Sequence, residues 1–364
     1  MQIQENFSLK PYNTFGIYAK ARYFAPFSNA EQLAKLTTHQ SPKKSPPEFP
    51  TESSTESLRT FRTQLTTFIL GGGSNILFTK DFDGLVLKNE VKGIEKINED
   101  NKNVYVRVGA GENWHRFVLH CIRNNWAGVE NLSLIPGNVG ASPMQNIGAY
   151  GVEIREVFHE LTAFHRLEKT IHTFRLEDCE FGYRDSVFKN KYKDQFVIIE
   201  VTYRLNKIPK YNTSYGAIQQ ELDKMGVKEL SIAAISQAVI NIRTSKLPDP
   251  AVIGNAGSFF KNPSISKDKF QELRSKFQKI VGYENKDGSI KLAAAWLIEH
   301  SGPTDSVSWK GFRRGDAGCH QEQALVLVNF GRASGKEIYD LSEAIRQSVV
   351  DKFGVDLERE VNLI

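Results

Sequence analysis

The segment NAGSFFKNP, residues 255–263, sets a single hydroxyl, Ser258, between a glycine and two phenylalanines, with Lys261 and Asn262 directly after. Two readings fit it. A strand breaking into an Asn-Pro turn uses these residue types, and so does a dry site in which a hydroxyl hands over a proton. Four further segments carry groups that bind or transfer charge. They are FGYRDSVF (181–188) with Tyr183, Arg184 and Asp185, TSYGAIQQEL (213–222) with Tyr215, RTSKLPDP (243–250) with Lys246, and LEREV (357–361) with Glu358 and Glu360. Taken singly, each is explained equally well as surface chemistry: Arg184 beside Asp185 as an exposed ion pair, the two glutamates as solvated strand residues.

Two glycine-rich segments suit an anion. LGGGSNILF (70–78) brings Gly71, Gly72, Gly73, Ser74 and Asn75 after an apolar run, so that successive N–H groups can form a nest. No Gly-Lys-Ser/Thr follows and the spacing is not GxGxxG, so it is neither a P-loop nor a dinucleotide fingerprint; a tight turn would use the same residues. ENLSLIPGNVGASPMQNIGAYG (130–151) crowds Gly137, Gly140, Gly148 and Gly151 with Pro136, Asn138, Ala141, Ser142, Gln145 and Asn146, yet keeps Leu132, Leu134, Ile135, Val139, Met144 and Ile147. A flexible linker would not retain that apolar content. The expectation is an ordered irregular loop whose backbone donors wrap a ligand.

The elements that must position these groups are legible from periodicity. NAEQLAKL reads as a short helix and TTFIL as a strand entering the first glycine turn; FDGLVLKN and NVYVRVGAG read as strands. ENWHRFVLHCIRNNWAG places Trp114, Phe117, Val118, Cys121 and Ile122 at helical spacing, with Gly128 as its stop. QFVIIEVTYRL is a strand, ELSIAAISQAVINIRTSKL contains a helix, KLAAAWLIEHSG is a helix stopped by Gly302, QALVLVNFG is a buried strand, GKEIYDLSEAIRQSVVDKFG is a long amphipathic helix, and VDLEREVNLI alternates like a strand. Without a regular βαβ rhythm the class is α+β. Residues 38–66, rich in Pro, Ser, Thr and Glu, are expected to form a mobile surface insertion.

At 364 residues the chain exceeds one ordinary core. It is 40% hydrophobic and 24% charged, with no apolar run of membrane-spanning length and no signal-peptide pattern at its start. Three scattered cysteines, Cys121, Cys179 and Cys319, argue against a disulfide framework and a zinc site, and for the cytoplasm. The net charge of +5 is interleaved rather than clustered, which suits a small polyanionic ligand as well as it suits nucleic acid.

NTFG at Asn13, GGGSN at Gly71, GAGENWHR at Gly109, IPGNVGASPMQNIGAYG at Ile135, FGYRDS at Phe181, TSKLPDP at Thr244, GNAGSFFKNP at Gly254, HQEQALVLVN at His320 and LEREV at Leu357 follow one another in this order. Together they resemble the UDP-N-acetylenolpyruvoylglucosamine reductase family, from about residue 9 to the C-terminus, and the segment at Tyr215 is similar to its longer subclass. The resemblance implies an α+β architecture: a two-subdomain FAD-binding fold of the vanillyl-alcohol-oxidase/PCMH type (1–88 and 89–245, the latter with a tyrosine loop at about 211–220) and a C-terminal α+β substrate-binding domain (246–364). It implies non-covalent FAD with its diphosphate along Gly71–Asn75 and the Pro136–Gly148 loop, NADPH as co-substrate, and reduction of an enolpyruvyl ether of UDP-N-acetylglucosamine. By the same resemblance Arg184 binds the substrate carboxylate, Glu360 acts as an acid at the enolate, and Ser258 protonates C2, with Lys246 or a water polarising it. Tyr215, Lys246, Asn262 and Gln323, and less strongly Tyr183, are implied ligands of the nucleotide sugar. No metal, nucleic-acid or membrane partner is expected, and the chain is expected to be a monomer. Two rivals differ in their tests: an oxidase of the same superfamily, where covalently tethered flavin would survive denaturation, and a catalytically silent nucleotide-sugar binding module, which would not need Arg184, Ser258 and Glu360 together.

Overall fold

A computed structural model describes residues 2–38, 65–304 and 306–364. Apart from its ends, the insertion expected over 38–66 lies outside the described residues. The first sheet has the strand order Gln4–Ser8, Lys20–Phe27, Phe82–Asn89, Thr67–Leu70; its first pair is antiparallel and the other two are parallel. Alternation gives this sheet two buried faces. Ala25, Phe27, Leu85 and Leu87 pack with Leu33 and Leu36 of the helix Ala30–Thr38 and with Phe164, Val197 and Ile199 of the next sheet. Phe24 and Val86 turn the other way, into a core shared with residues of the C-terminal third such as Phe259, Leu327 and Ile345.

The second sheet is antiparallel throughout, ordered Ile171–Arg175, Phe158–His165, Phe196–Asn206, Asn103–Gly109, Ile94–Glu99. Val104, Val106 and Val108 share its core with Trp114, Phe117, Val118 and Cys121 of the helix Trp114–Arg123. Asn113 caps that helix through Arg116 N–H. The stop expected at Gly128 comes earlier: the helix ends at Arg123, and Asn125 takes the left-handed turn (φ 55°). Asparagine tolerates that conformation, so the apolar run carried the reading past the true end. Gly128 serves the next turn, donating its N–H to Glu130 Oε2 at 2.6 Å.

The C-terminal third builds an antiparallel sheet, Gly254–Ser258, Val326–Asn329, Ala317–Cys319, Arg313–Arg314, backed by the long helix Gly335–Phe353. A Ser334–Glu337 capping box starts this helix and Gly354, at φ 62°, ends it. The helix Ala294–His300 stops at Ser301, one residue before Gly302. The terminal segment is not the continuous strand its alternation suggests. Only Asn362–Leu363 pairs regularly, parallel to Ile76–Leu77. Upstream, Lys261 N–H donates to Glu358 O and Glu360 N–H to Phe259 O, whereas Asn362 N–H donates to Asn75 O. The tail crosses from one neighbour to another, so no single ladder forms along it. Among the described residues no helix is long and apolar enough to cross a membrane.

Candidate active site

The two glycine-rich loops meet. A Cβ on Gly72 would stand 2.7 Å from Gly137 Cα, and one on Gly137 (φ 108°) would stand 2.6 Å from Ser74 Oγ. Gly73, at φ 66°, lies against the Tyr12 carbonyl, and its own carbonyl accepts from Thr14 N–H at 3.0 Å, which ties NTFG to the turn. The 135–151 loop is pinned alongside GAGEN: Trp114 N–H donates to Gly137 O, Val139 N–H to Glu112 O and Gly140 N–H to Ala110 O. Only glycine permits approaches this close. Gly71, by contrast, faces open space. Among the described residues the N–H groups of residues 71–75, and of Gly137 and Asn138, have no acceptor within the chain. A row of unsatisfied backbone donors beside open space is the chemistry a diphosphate requires, so the residues present fit the FAD that the sequence implies.

Not every loop residue is free to contribute its side chain. The Ser142 hydroxyl is buried against Tyr203 Oη at 2.7 Å. Asn146, fully buried at φ 43°, donates to Glu153 and to Gly182 O and accepts from Arg155 N–H. Both groups are satisfied inside the protein and shape the loop. Pro136 and Ala141 are exposed. Gln145 is engaged differently: Asn75 Nδ2 donates to its Oε1 at 3.0 Å and to Glu360 O at 3.2 Å. One amide thus joins both loops to LEREV.

Around that junction the reactive groups gather. Arg184 Nε lies 3.3 Å from Glu360 Oε1, with both side chains mostly buried (19% and 16% exposed), and Arg184 Nη2 donates to Gly148 O at 2.5 Å. The surface pairing of Arg184 with Asp185 does not occur; Asp185 accepts from Asn190 and from Ser186 N–H. Burial pushes the Glu360 carboxyl above the ordinary glutamate range, opposed by the charges of Arg184, Lys189 and Lys261. Glu358 points to water and pairs with Lys261 at 2.5 Å.

Ser258 precedes Phe259, whose carbonyl accepts from Glu360 N–H, and lies on its strand at a register shift between Asn255 and Ser258. Gly257, at φ 71° with nothing within 4 Å of where a Cβ would stand, makes the bend and leaves space over it. Asn255 fixes the turn by accepting from Gly257 N–H and donating to Pro248 O and Ile253 O. Phe259 and Phe260 are fully buried in the core with Phe15, where they anchor the strand. Strand pairing sets Ser258 opposite Val326, and Val326 N–H donates to Gln323 O, which brings Gln323 to the same end.

The other expected ligands lie as follows. Tyr183 is exposed, between the Arg184 guanidinium and the Lys291 ammonium at 5.3 and 5.1 Å from its ring. Asn262 Oδ1 accepts from Ala294 N–H at the start of the helix Ala294–His300, and among the described residues its Nδ2 has no partner. Tyr215 is exposed and edge-on to Tyr150 at 5.2 Å, on the helix pair Gly216–Lys224 and Ile232–Lys246. Asn212 Nδ2 binds Gly151 O, fastening this loop to the turn that also holds Arg184. Lys246 is exposed at the end of its helix, and no hydrogen bond joins it to Ser258, so the polarising contact expected of it is not formed. Lys261 was given no role by the sequence and Lys189 was not marked by it at all. Lys261 sits within a segment already singled out, whereas Lys189 follows FGYRDSVF with no spacing that marks it.

Comparison with known proteins places this geometry. The family model for the UDP-N-acetylenolpyruvoylglucosamine reductase C-terminal domain matches residues 249–364, and that for an FAD binding domain matches residues 55–173. The chain is 51% identical to UDP-N-acetylenolpyruvoylglucosamine reductase of Amoebophilus asiaticus over 364 residues, covering all of both chains. It is 47% identical to the reductase of that name in Flavobacterium johnsoniae over 365 residues, again covering both fully. The crystal structure of UDP-N-acetylenolpyruvylglucosamine reductase from Thermus caldophilus shares its fold, with TM-score 0.62 and 22% identity across 100% of this chain and 99% of that one. An FAD-binding domain joined to that C-terminal domain makes the protein an FAD-dependent oxidoreductase. The chain belongs to the UDP-N-acetylenolpyruvoylglucosamine reductase family.

Proposed function

We propose that the protein reduces the enolpyruvyl ether of UDP-N-acetylglucosamine to UDP-N-acetylmuramate with electrons from NADPH, in the cytoplasm, as a step in peptidoglycan precursor synthesis. The observation that carries the reading is the Arg184–Glu360 pair lodged beside the Ser258 strand and tied by Asn75 to both glycine-rich loops. FAD, when bound, supplies the hydride that adds to the terminal carbon of the enolpyruvyl group. Negative charge then develops on the substrate carboxylate, where pre-placed donors act with greatest effect. Arg184 meets that carboxylate with the donors of its planar fork not given to Gly148. Glu360, held toward its protonated form by burial, donates a hydrogen bond to the enolate. Ser258 gives the proton to C2 and regains one through water. Tyr215, with Lys246, Asn262, Gln323 and Tyr183 around it, holds the nucleotide diphosphate. The three cysteines are free and buried, which suits a reducing compartment. Incubating the FAD-loaded protein with NADPH and the enolpyruvyl ether should consume both one for one and yield a product heavier by two hydrogen atoms. NADPH oxidation without that product would overturn the substrate assignment.

A further inference from the structure

Arg184 occupies the tip of a tight turn: Gly182 N–H donates to Asp185 O and Asp185 N–H to Gly182 O, with Tyr183 and Arg184 between them. Its φ is 53°, in the left-handed region that is strained for a residue with a side chain. Glycine or asparagine would hold this turn without that cost, so an arginine here needs a reason and a restraint. The reason is its guanidinium, bonded to Gly148 O and Glu360. The restraint comes from the neighbouring half-buried Lys189, whose Nζ donates to the Arg184 carbonyl at 3.1 Å. The charged groups facing Lys189 are Lys261, Asp185, Glu360 and Glu358, and those facing Glu360 are Arg184, Lys189 and Lys261. Lys261 is directly paired with Glu358. Among the described residues Lys189 has no direct ion pair, so its charge is not committed to a single carboxylate.

Resting on the functional reading above, we propose that Lys189 is a positioning residue: it locks the strained backbone of Arg184 and supplies a second cation, beside Arg184, that balances Glu360. The direction of its effect follows. Removing a nearby positive charge destabilises the carboxylate, so Glu360 should keep its proton to higher pH. The test uses the FAD-loaded protein with Lys189→Met and Lys189→Arg, each with an Arg184–Glu360 pair intact in sequence. Carboxyl 13C NMR, with the Glu360 signal identified by its loss in Glu360→Gln, reads the titration without any substrate. Lys189→Met should move the Glu360 midpoint upward and Lys189→Arg should return it toward the parent value. In parallel, kcat/KM for the enolpyruvyl ether should fall about tenfold in Lys189→Met through misplacement of Arg184. The alkaline limb of its pH profile should move up and recover in Lys189→Arg. An unmoved midpoint in a Lys189→Met protein that retains its FAD would overturn the proposal, because a purely structural lysine would weaken the fold without shifting that titration. A shifted midpoint in a protein that never reduces the enolpyruvyl ether would uphold the role of Lys189 and sink the substrate reading instead.

Discussion

Ser258 and Glu360 differ in how their surroundings prepare them. Ser258 is placed by backbone alone, through the Gly257 bend and the pairing with Val326. Ser258→Ala should therefore leave NADPH-driven flavin bleaching intact while slowing reoxidation by the enolpyruvyl ether on the order of 10²-fold. Stopped-flow absorbance resolves the two halves, and equal slowing of both would remove the proton-donor role. Glu360 is prepared by burial, and the sign of its effect on stability can be worked out. Its folded carboxyl holds a proton at pH values where the unfolded one has lost it. Within that window the native state binds more protons, so its contribution to stability falls as pH rises through the window. Glu360→Gln should flatten that fall in thermal melts just above the ordinary carboxylate range; an unchanged slope would mean that Glu360 is not buried as described.

At the scale of elements, the glycine turn is the most exacting part. A Cβ on Gly73 would collide with the Tyr12 carbonyl at a φ already costing a side chain about 1–2 kcal/mol. Gly73→Ala should lower the melting temperature and the flavin content together, whereas Gly71→Ala, facing open space, should reduce flavin content with the melting temperature of the FAD-free protein unchanged. Flavin absorbance per chain and calorimetry decide between these outcomes. Elements with sustained periodicity were readable: the helix at Trp114 and the strand Phe196–Asn206 have buried faces that write themselves into the residue pattern. The tail at LEREV was not, since its alternation reflects two partners in succession, one from each side of the site. Within that tail Glu360 is mostly buried against Arg184, whereas Glu358 is exposed and paired with Lys261. Lys246 was suggested by chemistry as the partner of Ser258; it ends its helix exposed, with no hydrogen bond to Ser258.

At the scale of the whole molecule, packing joins parts of the chain that lie far apart in sequence. The first sheet lends one face to a core with the C-terminal third and the other to the second sheet, so the segment from Leu9 to Phe24 belongs physically to the C-terminal body. Linear motifs cannot reveal this, because the contacts join residues more than two hundred positions apart, such as Asn329 with Phe15 O. The segment within 38–66 follows the helix Ala30–Thr38, which packs on the face away from the C-terminal core. Deleting residues 42–58 should leave both half-reactions unchanged, and loss of FAD binding would assign that segment a part in the site. On the proposed function, one pocket couples flavin to an enolpyruvyl nucleotide sugar. Its most direct test is anaerobic: bleach the FAD-loaded protein with one equivalent of NADPH, add the enolpyruvyl ether, and follow the visible flavin band. The oxidised band should return promptly in the parent and stay bleached in Ser258→Ala; a parent protein that stays bleached would overturn the coupling of flavin to the enolpyruvyl ether.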